Sequence, residues 1–170
     1  RHSTIVTRMT RNGVKFGIQV SGLKGRWFEG EAEVPKGLYF TGFNQNDASR
    51  DFGDSAIMET MGLGGMASAA APAVTRFVGG NSAGAVRITE DCYRITCGTS
   101  RDFIIPLLEF KGSPTGIDVV KVNETGILPS INTGIAHKKA GIGQIGAGVS
   151  HPPMNAFQDA LREFAREYGL

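Results

Sequence analysis

The chain has 170 residues, and its 24 glycines put that residue well above the usual share of roughly 7%. Hydrophobic residues make up 41% and charged residues 20%, the formal net charge is +2, and the mean hydropathy is −0.10. The apolar fraction suffices for a packed core and the glycines follow no period of three, so the composition excludes disordered and collagen-like chains. The length predicts a single domain over residues 1–170.

The distribution of charge and the two cysteines exclude several further classes of protein. No run of basic residues exceeds Lys138-Lys139, so no nucleic-acid partner is predicted. The most weakly polar stretch, residues 61–74, is too short for a membrane span of about 20 apolar residues, and no signal peptide is visible. Cys92 and Cys97 lack the second pair that a zinc site needs, so we expect free thiols, no metal, no cofactor and a reducing, cytoplasmic location.

The first predicted element is a β-hairpin. Apolar and polar residues alternate over 14–20, and Asn12-Gly13 separates this run from a β-prone run before it. Asn-Gly in that setting is typical of a type I′ turn, which needs two positive φ angles. Further strands are predicted at residues 26–29 and 38–43.

Three helices are predicted next. Asp54 is a candidate N-cap for a helix that begins at Ser55. A second helix, made almost entirely of small residues, is predicted over 65–78, and we expect it to be buried against a close neighbour. Asn81 or Ser82 caps a third helix that extends to Cys97.

The C-terminal half predicts short strands and a final helix. Residues 103–150 contain β-rich runs, among them 117–122, separated by glycine turns. Apolar residues recur at helical spacing over 157–168, and Gly169 ends that helix. The predicted fold class is α/β with α+β character: a mixed β-sheet with an N-terminal hairpin, a buried small-residue helix and a C-terminal amphipathic helix packed on it.

The tripeptide Thr-Gly-Ile occurs three times, at 115–117, 125–127 and 133–135. Each repeat offers a hydroxyl and a flexible backbone N–H, and N–H groups of glycine turns converge on anions. The candidate anion-binding residues are Thr115, Gly116, Thr125, Gly126, Thr133 and Gly134. The alternative is that the repeats are only strand–turn junctions.

A glycine-rich loop follows the third repeat. Residues 141–146 match G-x-G-x-x-G, but the sequence after them cannot continue as a helix, which excludes a dinucleotide site. Gly141 and Gly143 remain candidates for lining an anion pocket, and protonated His137 would make that pocket electropositive. Since glycine concentrates at 62–65 and 112–148, we expect a small-anion pocket in these regions.

Charged side chains supply the remaining candidates. Arginine suits bidentate recognition of carboxylate or phosphate, so Arg8, Arg11 and the neighbouring Asn12 are candidate anion contacts. Arg8 and Arg11 face opposite sides of a regular strand, so only the turn brings both to one ligand; solvated surface arginines are the alternative. Glu124 is a candidate base, or a surface carboxylate like the other carboxylates near glycine turns, Glu59 and Asp118.

Residues 6–22, 53–80 and 114–148 resemble a bacterial family, long labelled a domain of unknown function, that includes the YlbE and YahG proteins. Its members are longer, and the resemblance implies that this chain corresponds to their C-terminal portion. It also implies a cytosolic α/β protein that works beside an FdrA-like subunit in a homo- or hetero-oligomer.

The activity implied by this resemblance is that of an oxamate carbamoyltransferase subunit in allantoin degradation. That enzyme converts oxalurate and phosphate into oxamate and carbamoyl phosphate, so its ligands are small anions: phosphate, carboxylates and carbamoyl compounds. Such a transfer needs positioning and charge stabilisation. We therefore expect Arg8 and Arg11 to contact the anions, the Thr-Gly pairs to donate hydrogen bonds, and His137 to polarise the carbamoyl oxygen or act as general acid.

Two other functions compete with this hypothesis. One is a non-catalytic scaffold or assembly subunit in which the small-residue helix 65–78 forms an oligomer interface. The other is a regulatory module that binds an anion or an acyl-CoA.

Overall fold

The computed structural model describes residues 2–170 as nine strands, five α-helices and three short 3₁₀ segments. Within these residues, no helix is both long and apolar enough to cross a membrane. In chain order the elements are β1 Val6–Asn12, β2 Lys15–Val20, β3 Phe28–Glu31, β4 Lys36–Tyr39, a 3₁₀ turn Gln45–Asp47, β5 Phe52–Gly53, α1 Ile57–Thr60, a 3₁₀ segment Gly64–Ala70, α2 Pro72–Phe77, α3 Ser82–Arg94, β6 Thr96–Ile105, a 3₁₀ turn Pro106–Leu108, β7 Lys111–Ile117, α4 Val119–Thr125, β8 Ile131–Ala136, β9 Gln144–Ser150 and α5 Met154–Tyr168.

The strands form three antiparallel sheets. The first has the order β3-β2-β1-β5, the second β4-β9-β8, and the third consists of β6 and β7 alone. The second sheet pairs strands that are far apart in sequence, since Lys36 of β4 lies opposite Val149 of β9. The chain therefore returns to its first half to complete this sheet.

The main core lies between the first sheet and the helices α4 and α5. Phe16, Ile18 and Val20 of β2 are buried in it, and α5 contributes Phe157 and Phe164. A smaller apolar cluster forms around Ile135 and Ile145 of the second sheet. The alternation that predicted β2 and the periodicity that predicted α5 thus correspond to the two surfaces that pack together.

The predicted α/β class is confirmed, with the hairpin and the C-terminal helix in place. The strands divide into several antiparallel sheets where we expected one mixed sheet. The hairpin turn also differs from type I′: Gly13 alone of the Asn-Gly pair has a positive φ (84°). The Asn12 side chain instead accepts hydrogen bonds from the backbone N–H groups of Val14 and Lys15.

Three local predictions differ from the structure. The first helix begins at Ile57 without a side-chain cap, so Asp54 does not cap it. The segment predicted as one helix over 65–78 is a buried 3₁₀ segment followed by α2, with non-helical backbone at Ala71 where Pro72 begins the second helix. The run after Ile117, predicted as a strand, is the helix α4, capped by the Asp118 side chain and ended by Gly126 with φ of 70°.

The third helix shows the predicted cap but ends earlier than expected. The Asn81 side chain accepts a hydrogen bond from the N–H of Gly84. The helix ends at Arg94 because the chain from Thr96 onward pairs with β7.

The second sheet requires glycine where its strands approach closely. A Cβ added at Gly148 would overlap the backbone carbonyl oxygen of Lys36, and one at Gly37 would overlap that of Ala147. We expect Gly148→Ala to lower the free energy of unfolding by about 1–3 kcal/mol, as overpacking does. Equilibrium urea unfolding measures the change.

Gly98→Ala is the matched control for this prediction. Gly98 also lies in a strand, β6, but no atom lies within 4 Å of the position that a Cβ would take. The unfolding free energy of this variant should stay close to that of the parent chain. Equal losses in the two variants would contradict the packing explanation.

Candidate functional site

A buried ion pair joins the first sheet to the loop before β5. The Nε of Arg11 donates to Oδ2 of Asp51 at 2.9 Å, and the two residues are only 4% and 2% exposed. Arg11 is buried because the alternation of β1 places it on the same face as Met9, while Arg8, Thr10 and Asn12 lie on the exposed face. A charge at this depth needs a partner of opposite sign, which Asp51 supplies.

Hydroxyl groups from the second sheet complete the surroundings of this pair. Thr133 of β8 donates to Oδ1 of Asp51 at 2.8 Å and accepts from Nη2 of Arg11 at 3.3 Å. Ser150, at the end of β9, donates to Oδ2 of Asp51. Ser55 accepts from Nη2 of Arg11 at 3.1 Å. We refer to these five residues as the Arg11 cluster.

Glu59 of α1 is a second buried carboxylate, 2% exposed. Its Oε1 accepts the backbone N–H groups of Gly65 at 3.1 Å and Asn132 at 3.3 Å. Burial raises the pKa of Glu59 above its ordinary value of 4.5, and these hydrogen bonds and the charge of Arg11 offset that rise only in part. The turn at Gly64 and Gly65 thus closes around a carboxyl group that belongs to the chain itself.

Two buried polar atoms at this site have no hydrogen-bond partner among the described residues. They are Nη1 of Arg11 and Oε2 of Glu59, one a cationic donor and the other a carboxyl oxygen. Unsatisfied buried groups of this kind are rare because each costs about 1–3 kcal/mol or more. These two atoms are therefore candidate contacts for a ligand.

Two grooves beside this cluster flank Trp27. The larger, of about 440 Å³, is lined in part by Arg8, Trp27, Ser55 and Met58, and the smaller, of about 130 Å³, in part by Lys15 and Trp27. The ring of Trp27 lies over Gly17, where a Cβ would approach its Cε3 to 3.1 Å. Since Ser55 lines the larger groove and also contacts Arg11, it connects that groove to the cluster.

The structure brings together only some of the predicted site residues. Arg11 and Thr133 meet in the cluster, whereas Arg8 is exposed and donates to Oε1 of Gln19 at 3.2 Å. Asn12 is exposed and shapes the hairpin turn.

The three Thr-Gly-Ile repeats have separate surroundings. Thr115 donates to the carbonyl of Thr60 at 3.3 Å, and Thr125 donates to the carbonyl of Lys121 at the end of α4. Gly116 and Gly126 adopt positive φ, and Gly134 is covered by the Gln144 side chain. The hydroxyls of the three repeats thus contact three different parts of the fold.

The predicted polariser and base lie apart from these groups. His137 follows β8, where its Nδ1 accepts from the N–H of Lys139 and its ring contacts Phe43 edge-on. Gly141 and Gly143 shape the exposed loop after it, with φ of 86° and 90°. Glu124 is an exposed residue of α4. Their functional roles stay predictions.

Asp51 and Ser150 were not predicted from the sequence, and Glu59 was considered only as one of several carboxylates near glycine turns. Asp51 lies in a polar loop without periodicity, so nothing local marks it as buried. For Glu59 the sequence does carry an indication, because glycines at 62, 64 and 65 follow it closely. The structure explains them in part, since a Cβ at Gly64 would overlap Oε1 of Glu59.

The burial of the ion pair leads to a stability prediction. Asp51→Asn leaves the Arg11 charge without its counter-ion, and we expect the free energy of unfolding to fall by about 3–5 kcal/mol. The control is Glu29→Gln, which breaks the exposed pair with Lys15 and should cost at most about 1 kcal/mol. Urea unfolding of both variants tests this; a loss at Asp51 no larger than the loss at Glu29 contradicts it.

The shifted pKa of Glu59 predicts how stability depends on pH. Because the folded-state pKa lies above the unfolded-state value, the protein loses stability as pH rises from about the ordinary value of 4.5 through the folded-state pKa. Glu59→Gln cannot ionise and should remove that part of the pH dependence. Unfolding curves collected between pH 4 and 7 measure it; parallel stability profiles for the parent and the variant count against the assignment.

Comparison with known proteins shows which proteins this chain is similar to. The family model described as oxamate carbamoyltransferase subunit AllG matches residues 1–55. The chain is 52% identical over 171 residues to the oxamate carbamoyltransferase subunit AllG of Escherichia coli (strain K12), and 48% identical over 169 residues to the uncharacterized protein YahG of the same organism. These matches cover 100% and 99% of this chain but only 41% and 36% of the two relatives.

A solved structure has the same fold as this chain. A conserved protein of unknown function from Enterococcus faecalis V583 superimposes with a TM-score of 0.93 at 54% identity, over 96% of this chain and 39% of that one. The similarity extends over almost the whole sequence rather than one motif. The chain therefore belongs to the YahG/AllG-like protein family.

Proposed function

We propose that this chain is the part of a carbamoyltransferase-type subunit that holds the carbamoyl group of a small anionic substrate. The observation that carries the proposal is the pair of unpartnered buried atoms, Nη1 of Arg11 and Oε2 of Glu59. The relation to a protein named as an oxamate carbamoyltransferase subunit supports it. Since the chain spans 36–41% of these relatives, the complete activity belongs to the longer protein and its partners.

The chemistry of a carbamoyl group matches the two atoms. Its oxygen accepts hydrogen bonds and its NH₂ group donates them. The Arg11 guanidinium supplies a donor for the oxygen, and the carboxyl oxygen Oε2 of Glu59 supplies an acceptor for the NH₂ group. Both hydrogen bonds would form away from water, where interactions with charged groups are stronger.

The Arg11 guanidinium also fits the needs of carbamoyl transfer. Negative charge develops on the carbamoyl oxygen as a nucleophile adds to the carbon, and a fixed donor at that oxygen lowers the barrier. The hydrogen bonds from Arg11 to Asp51, Thr133 and Ser55 hold the guanidinium in place before substrate arrives. Catalysis then requires no reorientation of this cation.

The larger Trp27 groove is the proposed route to the cluster. Ser55 belongs to both, and Arg8 on the groove wall offers a cation for a carboxylate or phosphate. The anionic end of the substrate would stay in the groove while the carbamoyl end reaches the buried pair. This arrangement gives Arg8 and Arg11 separate tasks, which suits their positions on opposite faces of β1.

The wider setting of the proposal follows from the AllG relationship. We propose that the longer protein acts in the cytoplasm as a subunit of a hetero-oligomer, with an FdrA-like protein as the suspected partner. The competing scaffold hypothesis relied on residues 65–78 as an oligomer interface. Residues 65–69 of that segment are buried within this chain, where they pack against α3, so they do not favour an interface.

Two conservative substitutions test the proposal in the full-length protein assembled with its partner subunits. Arg11→Lys retains a cation beside Asp51 but removes the guanidinium donor, and Glu59→Gln removes the acceptor. We expect each to lower kcat/KM for phosphate-dependent cleavage of oxalurate by on the order of 100-fold, as loss of one transition-state donor does. Carbamoyl phosphate formation is the measurement.

Two further variants make the result decisive. Arg26→Lys alters an arginine that pairs with Glu163 and Glu167 on the surface, and it should leave activity unchanged. His137→Ala tests the prediction from the sequence that His137 polarises the carbamoyl oxygen. Since the Arg11 cluster accounts for activity without this histidine, this variant should keep its activity. If the Arg11→Lys and Glu59→Gln proteins are folded and fully active, the proposal is wrong.

A further inference from the structure

A third groove, of about 480 Å³, lies between α3, the loop after α4 and the end of β9. It shares no lining residue with the grooves beside Trp27. Its walls are largely apolar and include Ile88, Ile127, Leu128 and Val149, of which the first three also pack against the main core. The size suits a small organic molecule.

One wall of this groove contains a histidine that contacts a carboxylate. His151 lines it, and Oε1 of Glu33 lies 3.1 Å from Nδ1 of His151 and accepts the backbone N–H of the same residue. Burial raises the pKa of Glu33, but the hydrogen bonds and charge of His151 outweigh it and lower the pKa overall. Glu33 is then ionised near neutral pH and can only accept, so Nδ1 carries a proton.

The remaining imidazole nitrogen is the group available to a ligand. In the neutral tautomer that carries its proton on Nδ1, Nε2 presents a lone pair, and this atom has no partner among the described residues. The imidazole side chain is 41% exposed, so a ligand can reach it. Ser130 also lines the groove, and its buried Oγ likewise lacks a partner in the described part of the chain.

The other polar groups limit the charge of the ligand. Asp91 lines the groove and Glu33 lies behind His151, so a carboxylate or phosphate would face negative charge. Burial raises the pKa of the Cys92 thiol to about 12, which makes this wall residue an inert apolar group instead of a nucleophile. The groove therefore differs in character from the cationic surroundings of Arg11.

We propose that this groove is a second binding site, for a neutral molecule with an apolar body and a weakly acidic O–H or N–H group that donates to Nε2 of His151. The apolar body contacts Ile127 and Leu128. Glu33 acts as a positioning residue because it fixes the tautomer and orientation of the imidazole. The site is independent of the proposed carbamoyl chemistry, and its test is a binding measurement.

Two matched probes test the proposal on the full-length protein. 4-Ethylphenol carries an acidic O–H, whereas 4-ethylanisole has the same apolar body with that proton replaced by a methyl group. Titrations followed by ligand-observed NMR should give saturable binding of the phenol, about tenfold tighter than that of the anisole, the value of roughly one hydrogen bond. This comparison needs no variant.

Variants then locate the binding. His151→Phe keeps an aromatic ring but removes Nε2, and it should reduce the ratio between the two probes to about one. Leu128→Asp should weaken both probes, and His2→Phe, the same change at an exposed histidine, should weaken neither. Thermal unfolding confirms that each variant is folded. Equal binding of the two probes, or a ratio insensitive to His151→Phe, would overturn the proposal, whatever the carbamoyltransferase assays give.

Discussion

The buried pair of Arg11 and Asp51 is the constraint on which the arrangement of the sheets depends. Arg11 belongs to the first sheet, while Thr133 and Ser150, which complete the hydrogen bonds of Asp51, belong to the second. A buried charge is tolerated only with its counter-ion and hydrogen bonds in place, so these strands have one relative position in which Arg11 meets its counter-ion. The guanidinium proposed to bind substrate is thereby held by the architecture itself.

Several glycines lie where two parts of the chain approach each other closely. In the second sheet, glycine at 37 and 148 leaves room for the backbone of the adjacent strand. At 64 and 65 it lets a turn close around the carboxylate of Glu59, with the N–H of Gly65 as donor. We expected this turn to mark a pocket for an external anion, and the group that it contacts is a carboxyl side chain of the protein. The unpartnered Oε2 of Glu59 is the atom that we propose contacts a ligand.

The end of β9 connects the two proposed sites. Ser150 donates to Asp51 in the Arg11 cluster, and the next residue, His151, contacts Glu33 beside the third groove. The backbone N–H of Asp51 in turn donates to the carbonyl of Glu33. The two sites nevertheless differ in charge, since Arg8 and Arg11 favour anions at one, while Glu33 and Asp91 disfavour them at the other. We infer that the two would select different classes of ligand.

Features encoded by neighbours in the chain were determined by the sequence alone: the hairpin around Asn12-Gly13, the cap of α3 at Asn81 and the amphipathic helix ended by Gly169. The helix α4 was also locally encoded, by Asp118 and Gly126, but its β-branched run favoured a strand. Tertiary structure alone decided that the strands form three sheets, since β4 pairs with a strand more than a hundred residues later. Tertiary structure also decided which residues form the candidate site. Alternation along β1 places Arg11 and Arg8 on opposite faces. Only the long-range packing of Asp51, Glu59 and Thr133 makes Arg11 a buried cation with one unpartnered donor.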